Sequence, residues 1–149
     1  MSDVFQSLLK RFDHVGMAVN DVDRALATYC DILGAKKMIY KQIGTTADYT
    51  FTQVRLGGQS IEMIEPIQGK ESSLTKFLKE KGEGLHHLTF QVYSIRETIQ
   101  YLKTKGIRIV DEFLEKDPLW QTAFISPKSS NGVLIQLYET QAGSQYDHS

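Results

Sequence analysis

The order of apolar and polar positions runs through one cycle of changes and then repeats it. Residues 13–19 alternate, so His14, Gly16 and Ala18 share one face of a predicted strand and Val15, Met17 and Val19 the other. The second face is apolar and calls for a helix to cover it. That helix follows directly. Asn20 or Asp21 can accept its first unbonded amides, Val22, Ala25, Leu26, Tyr29 and Leu33 recur at helical spacing, and Gly34 supplies the C-terminal cap. Residues 37–43, 49–56 and 59–65 then read as strands, the last two joined at Gly57-Gly58, where both positions tolerate positive φ.

The cycle starts again at Leu85. His87, Thr89 and Gln91 alternate with Leu88, Phe90 and Val92, and Ser94 with Glu97 has the spacing of a capping box. Ile95, Thr98, Ile99 and Leu102 form the buried stripe of the helix, and Gly106 ends it. Strands are predicted over 107–112, 121–125 and 133–139, with a turn from Pro127 to Gly132 before the last. Two βαβββ modules therefore follow one another, at about residues 12–66 and 85–139, and the fold class is α+β. Between them residues 69–82 hold a linker helix with Ser72 or Ser73 as cap and Leu74, Phe77 and Leu78 as buried face. Ahead of them Val4, Phe5, Leu8 and Leu9 predict a short helix within 3–11 that packs on the body or on a partner subunit. The tail 141–149 is polar and expected to be mobile.

Composition narrows the function. A chain of 149 residues fits one domain with a real core, the modules being its halves. Hydrophobic content of 41% and charged content of 23% are those of a soluble globular protein. The 17 basic and 18 acidic residues are spread along the chain for a net charge of -1, which leaves no basic field for nucleic acid or an anionic membrane. Small molecules or a second copy of the chain are the expected partners. The single cysteine, Cys30, excludes an internal disulfide and a multi-cysteine metal site, and its place in an amphipathic helix reads as packing. No apolar run reaches the ~18 residues that span a bilayer, and MSDVFQSLLKRF lacks a signal peptide's apolar region. A cytoplasmic location is expected.

Repetition makes His14 and His87 symmetry partners. Glu62 and Gln136 follow them at nearly equal distances, each in the last strand of its module and out of phase with its apolar neighbours. Two imidazoles, a carboxylate and an amide oxygen suit one borderline divalent ion such as Zn²⁺, Ni²⁺, Co²⁺, Mn²⁺ or Fe²⁺. A buried Glu62 also wants a cation, because an unpaired one costs several kcal/mol. His86 and Glu139 are out of phase with the set and are set aside.

The stretches FDHVGMAVNDVDRALATYCDILG, IEMIEPI, GEGLHHLTFQV and SPKSSNGVLIQLYE resemble the vicinal oxygen chelate superfamily over about residues 12–139. Within it the chain looks most like methylmalonyl-CoA epimerases and their glyoxalase relatives. The resemblance implies an open, cup-shaped mixed sheet with helices outside, and one divalent metal held at His14, Glu62, His87 and Gln136. Epimerases carry Gln where this chain has Glu62 and Glu where it has Gln136. An epimerase base would fall near Phe51 or Thr52, neither of which can take a proton. The stretch Glu115-Lys116-Asp117-Pro118-Leu119-Trp120 replaces a Gly-x-His-Gly type segment, with Pro118 and Trp120 as candidate pocket walls. Ser126-Pro127-Lys128 stands where the family has His-Pro-Lys, and Lys128 could attract an anion.

The implied function is a metal-dependent epimerase-like or lactoylglutathione lyase-like enzyme acting on a small carbonyl compound, with Glu62 as both ligand and catalytic base. The alternative is a resistance or small-molecule binding protein of the same fold. Ring-cleaving dioxygenation with Fe²⁺ ranks third, since those enzymes are longer and use a His-His-Glu set. Family members pair, so a homodimer is expected.

Overall fold

A computed structural model of the chain describes residues 3–114 and 120–141. The stretch 115–119, with Pro118, and the tail beyond residue 141 lie outside the described residues. By its internal contacts the chain divides into two compact units. One is His14–His86; the other joins the N-terminal residues through Asp13 to those from His87 onward.

In the His14–His86 unit the strand order is β2 (Lys36–Ile43), β3 (Tyr49–Leu56), β4 (Gln59–Pro66), β1 (Leu9–Ala18). Strands β1 and β4 run parallel, and the other pairs are antiparallel. The β3–β4 hairpin turns at Gly57 and Gly58 with φ of 61° and 79°, the positive values that their lack of a Cβ permits. Helix α2 (Val22–Leu26) is capped by Asp21, whose carboxylate accepts from the Asp23 and Arg24 amides. The chain then widens into π-helical turns over Ala27–Ile32. The wider turn advances each residue by less than 100°, so the stripe expected at α-helical spacing slips around the axis. Leu33, expected in that stripe, is 51% exposed, while Tyr29 and Cys30 pack against Val19, Val22, Ala35, Val54 and Met63.

Helix α3 (Ser73–Lys81) lies on the opposite face of this sheet. Its Leu74 packs with Ala18 and Ile64, joined by Tyr49, Phe51, Phe77 and Leu78. A reciprocal capping box closes between Ser72 and Thr75, and Gly82 ends the helix at φ 79°. The face that carries Glu62 thus points away from α2 but is closed a few residues along by α3, which periodicity alone did not indicate.

The second unit has strand order β5 (Gly84–Val92), β8 (Leu134–Thr140), β7 (Trp120–Ile125), β6 (Ile109–Phe113). Here β5 and β8 run parallel and the rest antiparallel. Helix α4 (Ile95–Thr104) buries its predicted stripe, Ile95, Thr98, Ile99 and Leu102, with Val92, Ala123, Ile125 and Leu137 in the same core. Ser94 accepts the Glu97 amide at 3.2 Å. Each buried Ile or Leu contributes roughly 1.5–3 kcal/mol.

The N-terminal helix α1 (Val4–Leu8) is shorter than expected, because the chain is already extended in β1 from Leu9. It packs on α4: the Phe5 ring stacks on Tyr101 with centroids 6.5 Å apart, and the Tyr93 amide donates to the Leu8 carbonyl at 3.0 Å. Phe5 and Leu9 join the α4 core. The first residues therefore complete the module that comes last in sequence. Both β2 and β6 are kinked by register shifts near non-glycine residues of positive φ, Lys41 and Asp111. Such bulges blunt a strand edge against pairing with other chains.

Candidate functional site

The His14–His86 unit presents two of the four expected donors. In the parallel β1–β4 register Gly16 pairs with Glu62, so His14 lies one pleat from Glu62 on the same face. His14 is 4% exposed, and its Nε2 lies 3.4 Å from Glu62 Oε2. Across the antiparallel β3–β4 ladder Gln53 stands opposite Glu62 and Phe51 opposite Ile64. The residues flanking Glu62 on this face are thus Gly16, Gln53, Phe51 and Ile64. Tyr49 belongs to the same face; burial, followed by the charge of Glu62, raises its phenol above the ordinary range.

The second unit repeats the arrangement. His87 is 7% exposed, and the residue two further along, Thr89, pairs with Gln136. His14, Gly16 and Glu62 therefore correspond in register to His87, Thr89 and Gln136, as the repeat implied. What differs is how the last-strand side chain is held. Thr89 Oγ1 donates to Gln136 Oε1 at 3.0 Å, and Gln136 Nε2 donates to Thr122 Oγ1 at 3.2 Å. The Thr122 hydroxyl in turn donates to the Leu137 carbonyl at 2.9 Å.

Beside Gln136 lies a buried polar network that pattern reading missed. Arg11 Nε donates to Gln91 Oε1 at 2.9 Å, and its guanidinium also reaches Asp13 Oδ1 at 2.5 Å. The Tyr138 hydroxyl donates to Asp13 at 2.8 Å, and Gln91 Nε2 donates to Thr140. Burial, then the neighbouring Asp13, pushes the Tyr138 phenol far above its ordinary range. Trp120 stacks on Tyr138 with centroids 4.4 Å apart, so its described contact is packing. The available signal was that Gln91 follows His87 and Thr89, and Tyr138 follows Gln136, on the same strand faces.

The residues set aside have structural roles. His86 packs edge-on against Phe77 of α3, 4.7 Å between centroids, and burial with nearby Lys81 lowers its pKa to about 4. Glu139 accepts the Ile95 amide at the start of α4 at 2.8 Å. Glu65 does the same for Val22 at the start of α2 at 2.6 Å. Each carboxylate sits three residues after its module's candidate ligand and meets the positive end of the helix. Of the two residues at the expected base position, Phe51 shares the Glu62 face. Thr52 points to the other side with Met63, where its hydroxyl accepts the Lys41 amide at 3.0 Å. Lys128 is exposed in a short 3₁₀ turn capped by Ser126.

The chain is similar to known proteins. Residues 13–124 match the family described as Glyoxalase/Bleomycin resistance protein/Dioxygenase superfamily. The uncharacterized protein YqjC of Bacillus subtilis (strain 168) is 30% identical over 141 residues, covering 94% of this chain and 99% of that one. The mitochondrial methylmalonyl-CoA epimerase of Homo sapiens is 33% identical over 134 residues, covering 87% of this chain and 73% of the relative. The crystal structure of methylmalonyl-CoA epimerase from Mycobacterium tuberculosis superposes with a TM-score of 0.78 at 30% identity over 91% of each chain. Among the described residues no helix is long and apolar enough to cross a membrane.

Proposed function

The chain belongs to the glyoxalase/bleomycin resistance protein/dioxygenase superfamily, and from that premise we propose that it is a divalent-metal-dependent, epimerase-like enzyme that moves a proton beside the carbonyl of a CoA thioester. His14, His87, Glu62 and Gln136 would hold the ion. Two neutral imidazoles, one carboxylate and one amide oxygen fit a borderline divalent cation. When bound, such an ion supplies Lewis-acid stabilisation to the charge that develops on a carbonyl oxygen. The substrate class follows from the relatives' named activity.

The observation that carries this reading is the unequal setting of the two last-strand donors. Gln136 is held between the hydroxyls of Thr89 and Thr122. At the places equivalent to those threonines Glu62 has Gly16 and Phe51, and it meets the His14 imidazole. A carboxylate in that place would also serve as the proton acceptor. The other last-strand donor is an amide, which does not take a proton at neutral pH. A base aligned on the proton contributes typically 10²–10⁴-fold.

A second reading is favoured by the residues around Glu62. Gly16, Phe51, Gln53 and Ile64 provide no second carboxylate there. One base that takes a proton from one carbon and returns it to the next suits a lactoylglutathione lyase-like shuttle, and a probable lactoylglutathione lyase of Synechocystis sp. is 27% identical over 99 residues.

Both readings are tested with metal-loaded protein in D₂O, by following loss of the α-proton of methylmalonyl-CoA and, separately, of a thiol hemithioacetal by NMR. Glu62→Gln is expected to slow the exchange by about 10³-fold. Exchange at the wild-type rate in that variant would remove Glu62 as base, and exchange of neither substrate would remove both readings.

A further inference from the structure

We propose that Thr89 and Thr122 are positioning residues that make Gln136 a fixed amide-oxygen donor to a divalent cation. The inference rests on the metal reading above and concerns one half of the donor set.

The hydrogen-bond directions leave one solution. The Thr122 proton is committed to the Leu137 carbonyl, so toward residue 136 this hydroxyl presents lone pairs only. Gln136 can meet it with its NH₂ and does so at 3.2 Å. That choice turns Oε1 toward Thr89, whose hydroxyl donates to it at 3.0 Å and occupies one of its two lone pairs. The second lone pair remains available to a cation. Rotating the amide by half a turn would set oxygen against oxygen at Thr122 and nitrogen against the Thr89 proton. Both hydroxyls are buried, Thr89 fully, so no solvent compensates for the lost bonds.

A glutamate at 136 would bring two acceptor oxygens. One of them would face the Thr122 lone pairs unless that hydroxyl abandoned the Leu137 carbonyl. In the other module the positions equivalent to the two threonines are Gly16 and Phe51, which carry no hydroxyl, and the last-strand residue there is Glu62. With the Thr122 hydroxyl acting as an acceptor, an amide at 136 meets both threonines where a carboxylate would not.

The test is Co²⁺ titration of the full-length protein, read by the visible absorption of the bound ion and by calorimetry. Thr89→Val and Thr122→Val are each expected to weaken Co²⁺ binding by about 10-fold, the lower end for outer-shell partners of a ligand. Thr89→Ser and Thr122→Ser, which keep the hydroxyl, are expected to restore wild-type affinity. In a Gln136→Ala background Thr89→Val should have no further effect, since there is no amide left to orient. Unchanged affinity in the valine variants, or an equal loss with and without Gln136, overturns the proposal while the metal reading stands. A wild-type protein that takes up no Co²⁺ removes the metal reading and this proposal with it. The Thr89 cycle decides the matter alone should Thr122→Val not fold.

Discussion

The two modules fill the face beside their candidate donors in opposite ways. In the His14–His86 unit the positions beyond Glu62 are Ala18, Phe51, Ile64 and Tyr49, and α3 closes over them through Leu74 and Phe77. At the corresponding places the second unit has Gln91, Thr122, Tyr138 and Trp120: Gln91 is bonded to Arg11, Tyr138 to Asp13, Trp120 stacks on Tyr138, and Thr122 meets Gln136. One face is dried by a helix; the other is satisfied by hydrogen bonds. Features that serve both modules alike stayed alike: the histidine, the donor in the last strand, and the glutamate at the helix start. The features that differ lie around the last-strand donors. Under the proposed function the apolar surroundings would belong to the donor that moves a proton, Glu62, and the hydrogen-bonded surroundings to the donor that is held still, Gln136.

That contrast can be broken from either side. The largest effect is expected from Leu74→Ala, which opens a cavity under α3 and should lower stability by about 2–5 kcal/mol in urea unfolding. Tyr138→Phe on the polar side removes one hydrogen bond to Asp13 while Arg11 still holds that carboxylate, so the loss should be nearer 1 kcal/mol. Equal losses would mean that the polar network is as essential as the apolar cluster.

The pH dependence sharpens the same contrast, because His86 sits against the α3 side. Its pKa is about 4 in the folded chain and 6.5 as the reference value. Between these values the unfolded chain binds the extra proton, so stability is fully present above 6.5 and declines as pH falls toward 4. The contribution is on the order of 2 kcal/mol after allowance for the partly exposed edge of the ring. Urea midpoints should fall between about pH 7 and pH 5 in the parent, and His86→Phe should flatten that difference. A parent with no such slope would place the imidazole in water. Effects as small as that of Tyr138→Phe are expected where the modules agree. Glu65→Gln and Glu139→Gln should each cost about 1 kcal/mol and by similar amounts, because both weaken a charged cap at a helix start.

Much of this architecture was legible in the chain. Alternation put His14 on one strand face with Glu62 and His87 on one with Gln136, as the parallel registers have them, and Gly57-Gly58, Asp21, Ser72 and Ser94 marked real turns and caps. Three features were not legible, for physical reasons. Periodicity assumes a constant turn, so the π-helical stretch that moves Leu33 outward was invisible. An amphipathic stripe says that a helix is covered but not by which face of which sheet, so α3 could not be assigned its side. The hydroxyls around Gln136 are pairings between β5, β7 and β8, and no local spacing predicts them.

The discontinuous second unit has a consequence for how the molecule is made. Phe5, Leu9, Arg11 and Asp13 precede the His14–His86 stretch, yet their partners at Tyr101, Gln91 and Tyr138 follow it. The stretch between, His14–His86, has its own core clusters and can close while synthesis continues. Contacts that span most of the chain raise contact order and are slow to form. The N-terminal arm thus depends for its seat on residues that come after a complete compact unit in the chain.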